Sequence, residues 1–353
     1  MFHVFSNLSG LQHPRISRLD IVPSGGGLSR ALRSAVRTAW RARNADAVLL
    51  NCAVTDALVL SGMLRLLRAR CAVVVSDPVM NVPYGKAAGL RAMLKRWLFQ
   101  RVDLFLVHQV DLAEYSRLYG ITAERSRYVP FKVNLLDIIS RLDREEGDYI
   151  FSCGVTNRDW ATLGAATRDL PYRVLVSMQD LEHLQRMGAV AVPPRREDFG
   201  TNATFVENGA DPREWLTLAA RSRCVVLPVT ADAINPSGVS TYLSLMALGK
   251  CVILSDGPAS RGILVDEAVI VSPADPRALR AQIERVWNDD LHRRATAALG
   301  EAYARSLGGS ERLLKDLASH VVDLLERRQH GRTAPRTPSE SQRASSLHEA
   351  SER

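Results

Sequence analysis

Short apolar runs alternate with segments of helical periodicity through most of the chain, a pattern typical of parallel sheets covered by helices on both faces. The runs form two series, separated by a charged connection between Val133 and Asp148. The first series predicts strands at 3–6, 20–22, 47–51, 72–76, 104–107 and 127–129. The second predicts five or six strands in YIFSCG, YRVLVSM, ATFVENG, SRCVVLPV, GKCVILSD and EAVIVS. We therefore expect an α/β protein with two Rossmann-like, doubly wound domains that face each other across a cleft.

The chain of 353 residues is long enough for two domains. We place the N-terminal domain at 1–136 and the C-terminal domain at 137–328, the latter ending in helices predicted at 275–287, 291–307 and 310–328. The tail at 329–353 is poor in large apolar residues, so we expect it to be disordered.

Composition and targeting signals indicate a cytoplasmic protein. With 46% hydrophobic and 24% charged residues the chain has globular composition, and no run reaches the roughly 20 apolar residues needed to cross a bilayer. The N-terminus lacks the order of charges and apolar residues found in a secretory signal. The cysteines adjoin apolar strand-like runs, which predicts reduced core thiols, and no Cys-x-x-Cys pair or histidine cluster suggests a metal site; they are Cys52, Cys71, Cys153, Cys224 and Cys251.

The formal net charge of +8 belongs entirely to residues 1–150, where 21 Lys and Arg stand against 13 Asp and Glu. Such a surface attracts phosphates, nucleic acid or anionic lipid. Nucleic acid is not expected, because the basic residues are not interleaved with aromatic ones.

The segment 86–101 predicts a helix with an apolar stripe that is flanked by basic residues. The stripe either packs on the first sheet or lies on an anionic membrane surface. Its members are Leu90, Met93, Leu94, Trp97 and Leu98.

A polar turn precedes an apolar helix and a buried strand in NPSGVSTYLSLMALGKCVI, which begins at residue 235. A helix start leaves backbone N–H groups unpaired and carries partial positive charge, so it can bind a phosphate or diphosphate. An ordinary capped helix is the alternative interpretation. The candidate anion-binding residues of this turn are Asn235, Ser237, Gly238, Val239, Ser240 and Thr241.

The segments FSCGVTNRDWATLGAA and PSGVSTYLSLMALGKCVILSD resemble the donor-binding half of glycosyltransferases of the GT-B fold, and they are most similar to family 4. The resemblance covers about 148–305, and more faintly 45–134, where DAVLLN, CAVVVSDP, VDLFLVHQ and YVPFKVN match the acceptor half in order. It implies transfer of a sugar from a nucleotide-sugar to an acceptor held by the first domain.

The resemblance also implies roles for single residues. The loop from Gly154 to Arg158 matches the family's diphosphate loop, with Arg158 as the basic side chain, and Gly238, Val239 and Ser240 match its glycine-containing turn. The chain departs from the family where two glutamates normally stand eight positions apart, since Pro236 and Ser244 occupy these positions. The second glutamate ordinarily binds the ribose, so nucleotide recognition must differ here.

Three further features are candidates for the site. Asp77 follows a buried strand and is a candidate base or acceptor contact, and an Asp-Pro turn residue is the alternative interpretation. His108 follows another strand and is a second candidate base, against a satisfied histidine at a strand end. Gly25, Gly26 and Gly27 precede a helix and could approach a phosphate closely, or form a plain flexible loop.

We therefore expect a glycosyltransferase that needs no metal or other cofactor and uses a nucleotide-sugar as co-substrate. The expected acceptor is a glycan, a lipid-linked sugar or a polysaccharide precursor, and the basic domain would allow peripheral binding to the inner face of a membrane. A nucleotide-sugar epimerase of the same fold and a catalytically silent binding protein are the alternatives.

Overall fold

The first domain is built on a six-stranded parallel sheet. The structure, a computed structural model, describes residues 1–23, 28–154, 156–178, 193–209 and 211–333. The strands of the first sheet have the order β2-β1-β3-β4-β5-β6 and every pair is parallel. They are β1 (Phe2–Ser6), β2 (Ile16–Ile21), β3 (Ala47–Asn51), β4 (Ala72–Ser76), β5 (Leu104–Val107) and β6 (Ser126–Tyr128).

A second six-stranded parallel sheet has the order β12-β11-β10-β7-β8-β9. Its strands are β7 (Tyr149–Ser152), β8 (Arg173–Met178), β9 (Ala203–Glu207), β10 (Cys224–Leu227), β11 (Val252–Ser255) and β12 (Val269–Val271). The prediction of an α/β fold with two doubly wound domains is confirmed. The apolar runs became strands because β-branched and aliphatic side chains are buried on both faces of a covered parallel sheet.

Helices join successive strands and cover both sheets. In the first domain they are α1 (Leu28–Ala42), α2 (Val54–Leu66), α3 (Ala88–Phe99) and α4 (Ala113–Tyr119). They are followed by α5 (Leu136–Ile139), α6 (Trp160–Thr167), α7 (Pro212–Ala220), α8 (Val239–Ala247), α9 (Pro276–Asn288), α10 (Asp290–Leu307) and α11 (Ser310–Thr333). Aspartates with a proline after them begin α7 and α9, because their carboxylates accept hydrogen bonds from the first free amides.

The last helix, α11, packs on the first domain, whereas the sequence predicted it in the C-terminal domain. Apolar residues of α11 pack on the first sheet, in one buried cluster with side chains of β1, β3, β4 and β5; the helix contributes Leu317, Ala318, Val321, Val322 and Leu325. The sequence places this helix in the C-terminal domain because it follows two helices of that domain, but its apolar face covers the first sheet. It also continues to Thr333, so 329–333 are helical and not part of a disordered tail.

The structure corrects the expected burial of one cysteine and decides whether the apolar stripe of α3 is covered. Cys52 is exposed, whereas the other cysteines are buried as predicted. The α3 stripe does not pack on the first sheet: Leu90 and Met93 are each 64% exposed, and Leu94 and Trp97 are also exposed. Phe99 is the buried anchor of this helix. Among the described helices none is long and apolar enough to span a bilayer.

Candidate functional site

The candidate site lies where the strand order of the second sheet reverses. From β7 the chain runs outward through β8 and β9, and it then returns to place β10 on the other side of β7. The loops that follow these neighbouring strands therefore meet at the carboxyl edge, which is where ligands bind in doubly wound folds. Backbone hydrogen bonds join the two loops: Asp159 donates to Pro228 at 3.1 Å, and Thr230 donates to Asn157 at 3.0 Å.

Arg158 projects from the β7 loop into this junction. Its Nε donates to the carbonyl of Cys153 at 2.9 Å, and one Nη donates to the carbonyl of Thr156 at 3.2 Å. Only 6% of the residue is exposed, and this burial lowers the pKa of the guanidinium. An arginine remains charged even so. A positive charge is thus held rigidly by its own loop at the carboxyl edge of the sheet.

No acidic side chain in the described part of the chain forms an ion pair with Arg158. The adjacent Asp159 begins helix α6 instead, where its carboxylate accepts from the amide and the hydroxyl of Thr162. The contrast is Arg293, which is 2% exposed and contacts Glu146 at 2.6 Å and Asp290 at 2.7 Å. A buried charge without a counterion is unfavourable. Such a charge at the carboxyl edge of the sheet makes Arg158 a candidate anion-binding residue.

Two glycines allow the guanidinium to lie here. Gly154 has φ +98°, and a Cβ on it would lie 2.3 Å from an Nη atom of Arg158. Gly238 has φ +92°, and its Cβ would lie 3.4 Å from the other Nη. The left-handed conformation favours glycine at both positions, and the close approach also excludes a Cβ at Gly154. The structure thus brings together three of the residues selected from the sequence: Gly154, Arg158 and Gly238.

Gly238 is also the residue at which helix α8 begins, with no side chain capping it. Val239 donates to Pro236, whereas the amides of Ser240 and Thr241 have no acceptor among the described residues. These free amides are in the first turn of the helix, directly after Gly238, which approaches the Arg158 guanidinium. Two N–H groups, the helix dipole and a cation therefore meet at one corner, which is an arrangement that binds phosphate oxygens.

An amide network holds the turn before Gly238 and joins it to the first domain. Asn157, at φ +52°, donates to the hydroxyl of Ser237 at 2.8 Å, and Ser237 donates to the side-chain oxygen of Asn235. Asn235 in turn donates to the side chain of Asn81 at 2.8 Å and to the carbonyl of Met80 at 3.1 Å. Sequence reasoning missed Asn157 and Asn81, and only the position of Asn157 beside Arg158 could have suggested its role.

We expect Asn235→Ala to lower the free energy of unfolding by about 1–3 kcal/mol, because several buried polar groups lose their partner together. The measurement is urea unfolding followed by far-UV circular dichroism. The exposed Asn288→Ala is the matched control, since it also removes hydrogen-bonding amides, and it should change stability by less than about 0.5 kcal/mol. Equal effects of the two substitutions would contradict the role of Asn235 in joining the domains.

Asp77 directly follows strand β4 at the carboxyl edge of the first sheet. It is half-buried at φ +48°, and its carboxylate accepts from the thiol of the exposed Cys52 at 3.0 Å. Partial desolvation and the charge of Asp77 both raise the pKa of this thiol. The loop from Asp77 to Tyr84 contains Asn81, so it contacts the turn before Gly238 through Asn235. Asp77 therefore remains a prediction as base or acceptor contact, in a position that suits it.

His108 is 3% exposed. Its Nδ1 donates to the carbonyl of Val129 at 2.7 Å, and its ring lies edge-on to Phe131 at a centroid distance of 4.7 Å. This environment is that of a histidine with a structural role at a strand end. Its assignment as a base stays a prediction, and Asp77 is the more accessible of the two candidates.

Two other positions were singled out from the sequence. Gly25, Gly26 and Gly27 lie outside the described residues. Ser244, which stands where family 4 enzymes carry a ribose-binding glutamate, is 1% exposed and donates to the carbonyl of Ser240 at 2.9 Å. Its hydroxyl is used inside the helix, so this side chain offers nothing to a ribose.

A cavity of about 360 Å³ lies between the domains, beside the β10 loop. Arg261 crosses it and contacts Asp111 of the first domain at 2.8 Å and Asp256 of the second at 2.9 Å. Arg158 and Gly238 do not line this cavity. The corner at Arg158 and the largely acidic, ion-paired cavity at Arg261 are therefore separate places in the structure.

Comparison with solved structures identifies the fold. The chain is similar to sucrose-phosphate synthase from Thermosynechococcus elongatus, with a TM-score of 0.61, 18% identity, and 90% of this chain and 85% of that chain covered. It is also similar to a UDP-forming trehalose-phosphate synthase from Burkholderia xenovorans in complex with glucose-6-phosphate (TM-score 0.60, 13% identity, 84% and 77% covered). A third is HepE from Anabaena in complex with UDP (TM-score 0.55, 14% identity, 90% and 86% covered).

The fold of this chain is therefore GT-B, as its resemblance to glycosyltransferases predicted. No family model matches the sequence, and no curated protein matches it.

Proposed function

We propose that this protein is a glycosyltransferase that binds a nucleotide-sugar through its diphosphate at the corner between Arg158 and Gly238. The observation that carries this proposal is the buried Arg158 guanidinium, which has no acidic partner among the described residues and faces the start of α8. A diphosphate would supply the missing negative charge.

The arrangement would favour departure of a nucleoside diphosphate. Negative charge develops on the leaving diphosphate as the glycosidic bond of the donor breaks, and an oriented guanidinium with helix-start amides would stabilise it. Arg158 can contact two phosphate oxygens at once, while the amides of Ser240 and Thr241 donate from the other side. In an inverting reaction Asp77 would take the proton from the acceptor hydroxyl.

The structural neighbours support the same chemistry. Sucrose-phosphate synthase and the UDP-forming trehalose-phosphate synthase are named for glycosyl transfer, and HepE was solved with UDP. We therefore propose a uridine nucleotide as the first donor to try, and a sugar hydroxyl as the acceptor. Acceptors to test include free sugars, polysaccharide precursors and lipid-linked sugars.

Calorimetric titration with UDP, GDP, ADP and the matching sugar nucleotides tests donor binding, and product analysis tests transfer. A glycosyltransferase forms a new glycoside only when an acceptor is added. A new sugar nucleotide formed from the donor alone would favour the epimerase. Binding without turnover of any donor would favour the silent protein, and no binding by the whole panel would contradict the proposal.

Transfer is expected to persist in excess EDTA, because Arg158 and the α8 amides take the charge-neutralising role that a divalent cation has in other enzymes. The measurement is the initial rate with and without EDTA, with added magnesium as the control. Loss of activity in EDTA that magnesium restores would show that a cation contributes to donor binding.

A further inference from the structure

We infer that the exposed face of α3 binds an anionic membrane surface. This face consists of Leu90, Met93, Leu94 and Trp97 with the neighbouring cations Arg91 and Lys95, and we call it the α3 face. The inference goes beyond donor binding, and it concerns a surface that the proposed reaction does not use.

The apolar members lie at i, i+3, i+4 and i+7, which places them on one stripe of the helix. Leu94 and Trp97 are 53% and 46% exposed. The helix is anchored through the buried Phe99 and through Leu98, the half-buried last member of the predicted stripe, which lies against Gly62 of α2. A soluble protein rarely leaves four large apolar side chains together in water without a partner for them.

The charges around this stripe have one sign. Residues 86–101 contain five basic and no acidic residues. Arg101 is paired with Asp103 and Arg96 donates to the carbonyl of Arg117. Arg91 and Lys95 have no acidic partner within the described ranges, and Arg91 donates to the carbonyl of Tyr84. They are one helical turn apart, so two positive charges without an acidic partner there lie beside the apolar stripe.

Both cations line a cavity of about 220 Å³ that lies between α3 and the loop that follows β4. Lys95 lies 5.7 Å from the ring centre of Tyr119, and Arg91 lies 5.9 Å from that of Tyr84. Burial and the charge of Arg91 both lower the pKa of Lys95. Two cations held together in this way favour an anion between them. A lipid phosphate would meet that requirement while the neighbouring acyl region receives the apolar stripe.

Trp97 fits the boundary between these regions. Its ring lies under the guanidinium of Arg65 at 4.9 Å, so one side contacts a cation and the other is exposed. Indole rings favour the interface between headgroups and acyl chains. The α3 face is therefore apolar in the middle and cationic at the rim. Such a surface is complementary to a bilayer that contains anionic lipids.

The β4 loop also connects the α3 face to the domain junction. The β4 loop forms one wall of the cationic cavity, and its Asn81 contacts Asn235 of the donor-side turn. If the proposed function holds, a membrane at the α3 face brings the cleft close to lipid-linked acceptors.

Co-sedimentation of the full chain with vesicles tests the inference without any donor, so its result is independent of the proposed reaction. Vesicles of phosphatidylcholine alone are compared with mixtures of phosphatidylcholine and phosphatidylglycerol, at low salt and at about 0.5 M salt. We expect binding to the mixed vesicles, weak binding to the neutral ones, and release at high salt. Absence of binding to mixed vesicles at low salt overturns the inference and leaves an acidic protein as the other kind of partner.

Paired variants separate the two contributions. Arg91→Gln with Lys95→Gln should weaken binding about thirtyfold, and Met93→Gln with Leu94→Gln should weaken it at least about tenfold. The control is Leu291→Gln with Arg277→Gln, since these residues are exposed on the second domain, and it should bind like the wild type. Equal binding by all variants overturns the inference.

Tryptophan emission gives a second measurement. Vesicles should shift the emission of the wild type to shorter wavelength, and most of this shift should be lost in Trp97→Phe. An unchanged shift in that variant would place the contact on another surface.

Discussion

Arg158→Met is expected to weaken binding of a nucleoside diphosphate at least about a hundredfold. The substitution removes two charge-assisted hydrogen bonds to phosphate, each worth about 1.5–3 kcal/mol, and 1.4 kcal/mol corresponds to a factor of ten. Methionine has similar length and suits a buried position. Calorimetric titration of wild type and variant with the same nucleotide measures the effect.

Stability data make this test specific for a binding role. Methionine removes a buried charge that no described carboxylate balances. The free energy of unfolding should therefore change far less than the free energy of nucleotide binding. Arg158→Lys should also bind poorly, because an ammonium group cannot form the two-pronged contact. Wild-type affinity in Arg158→Met would contradict the assignment.

Arg293→Met is the matched control. Arg293 is as deeply buried as Arg158, but it forms ion pairs with Glu146 and Asp290. Its removal breaks hydrogen bonds to charged groups, but Arg223 still pairs with both carboxylates, so stability should fall by about 1–3 kcal/mol while the folded protein binds nucleotide normally. The two substitutions should thus have opposite patterns of effect on stability and affinity.

Gly154→Ala is expected to lower nucleotide affinity about as strongly as the loss of Arg158. The new methyl group would lie 2.3–2.7 Å from three atoms of the guanidinium, and the backbone at φ +98° is unfavourable for alanine. The side chain of Arg158 must move away from Gly238, so charge remains in the protein but not at the corner. Titration calorimetry and the melting temperature together separate displacement from unfolding.

Gly89→Ala serves as the control for this glycine. A Cβ at Gly89 meets no atom within 4 Å, and this residue lies inside helix α3, where alanine is favoured over glycine. Its nucleotide affinity should equal that of the wild type. A Gly154→Ala protein that is folded and binds nucleotide normally would show that the guanidinium position is unimportant.

Much of the fold could be predicted because parallel strands that are buried on both faces appear in the sequence as continuous apolar runs. AVVVS at Ala72–Ser76 and CVVL at Cys224–Leu227 are fully buried strands that only such a sheet explains. The placement of α11 could not be predicted, because an amphipathic helix shows that one face is covered but not which sheet covers it.

Single residues of the candidate site could be predicted from the sequence, but the contacts between them could not. Gly238 and Arg158 stood out as a turn glycine and a basic loop residue. Their contact depends on β10 lying beside β7, which is a property of strand order that one sequence does not contain. Asn157 and Asn81 act through contacts across loops, and neither has a local pattern. The exposure of the α3 stripe was likewise undecided, since the same periodicity suits a covered face and a membrane-facing one.

The most direct test of diphosphate binding at Arg158 is a crystal structure of the protein with the nucleoside diphosphate that titration selects. We expect the diphosphate to lie between the guanidinium of Arg158 and the amides of Ser240 and Thr241, within hydrogen-bonding distance of both. A diphosphate bound elsewhere, such as the cavity crossed by Arg261, with the Arg158 corner still without an anion, would contradict it.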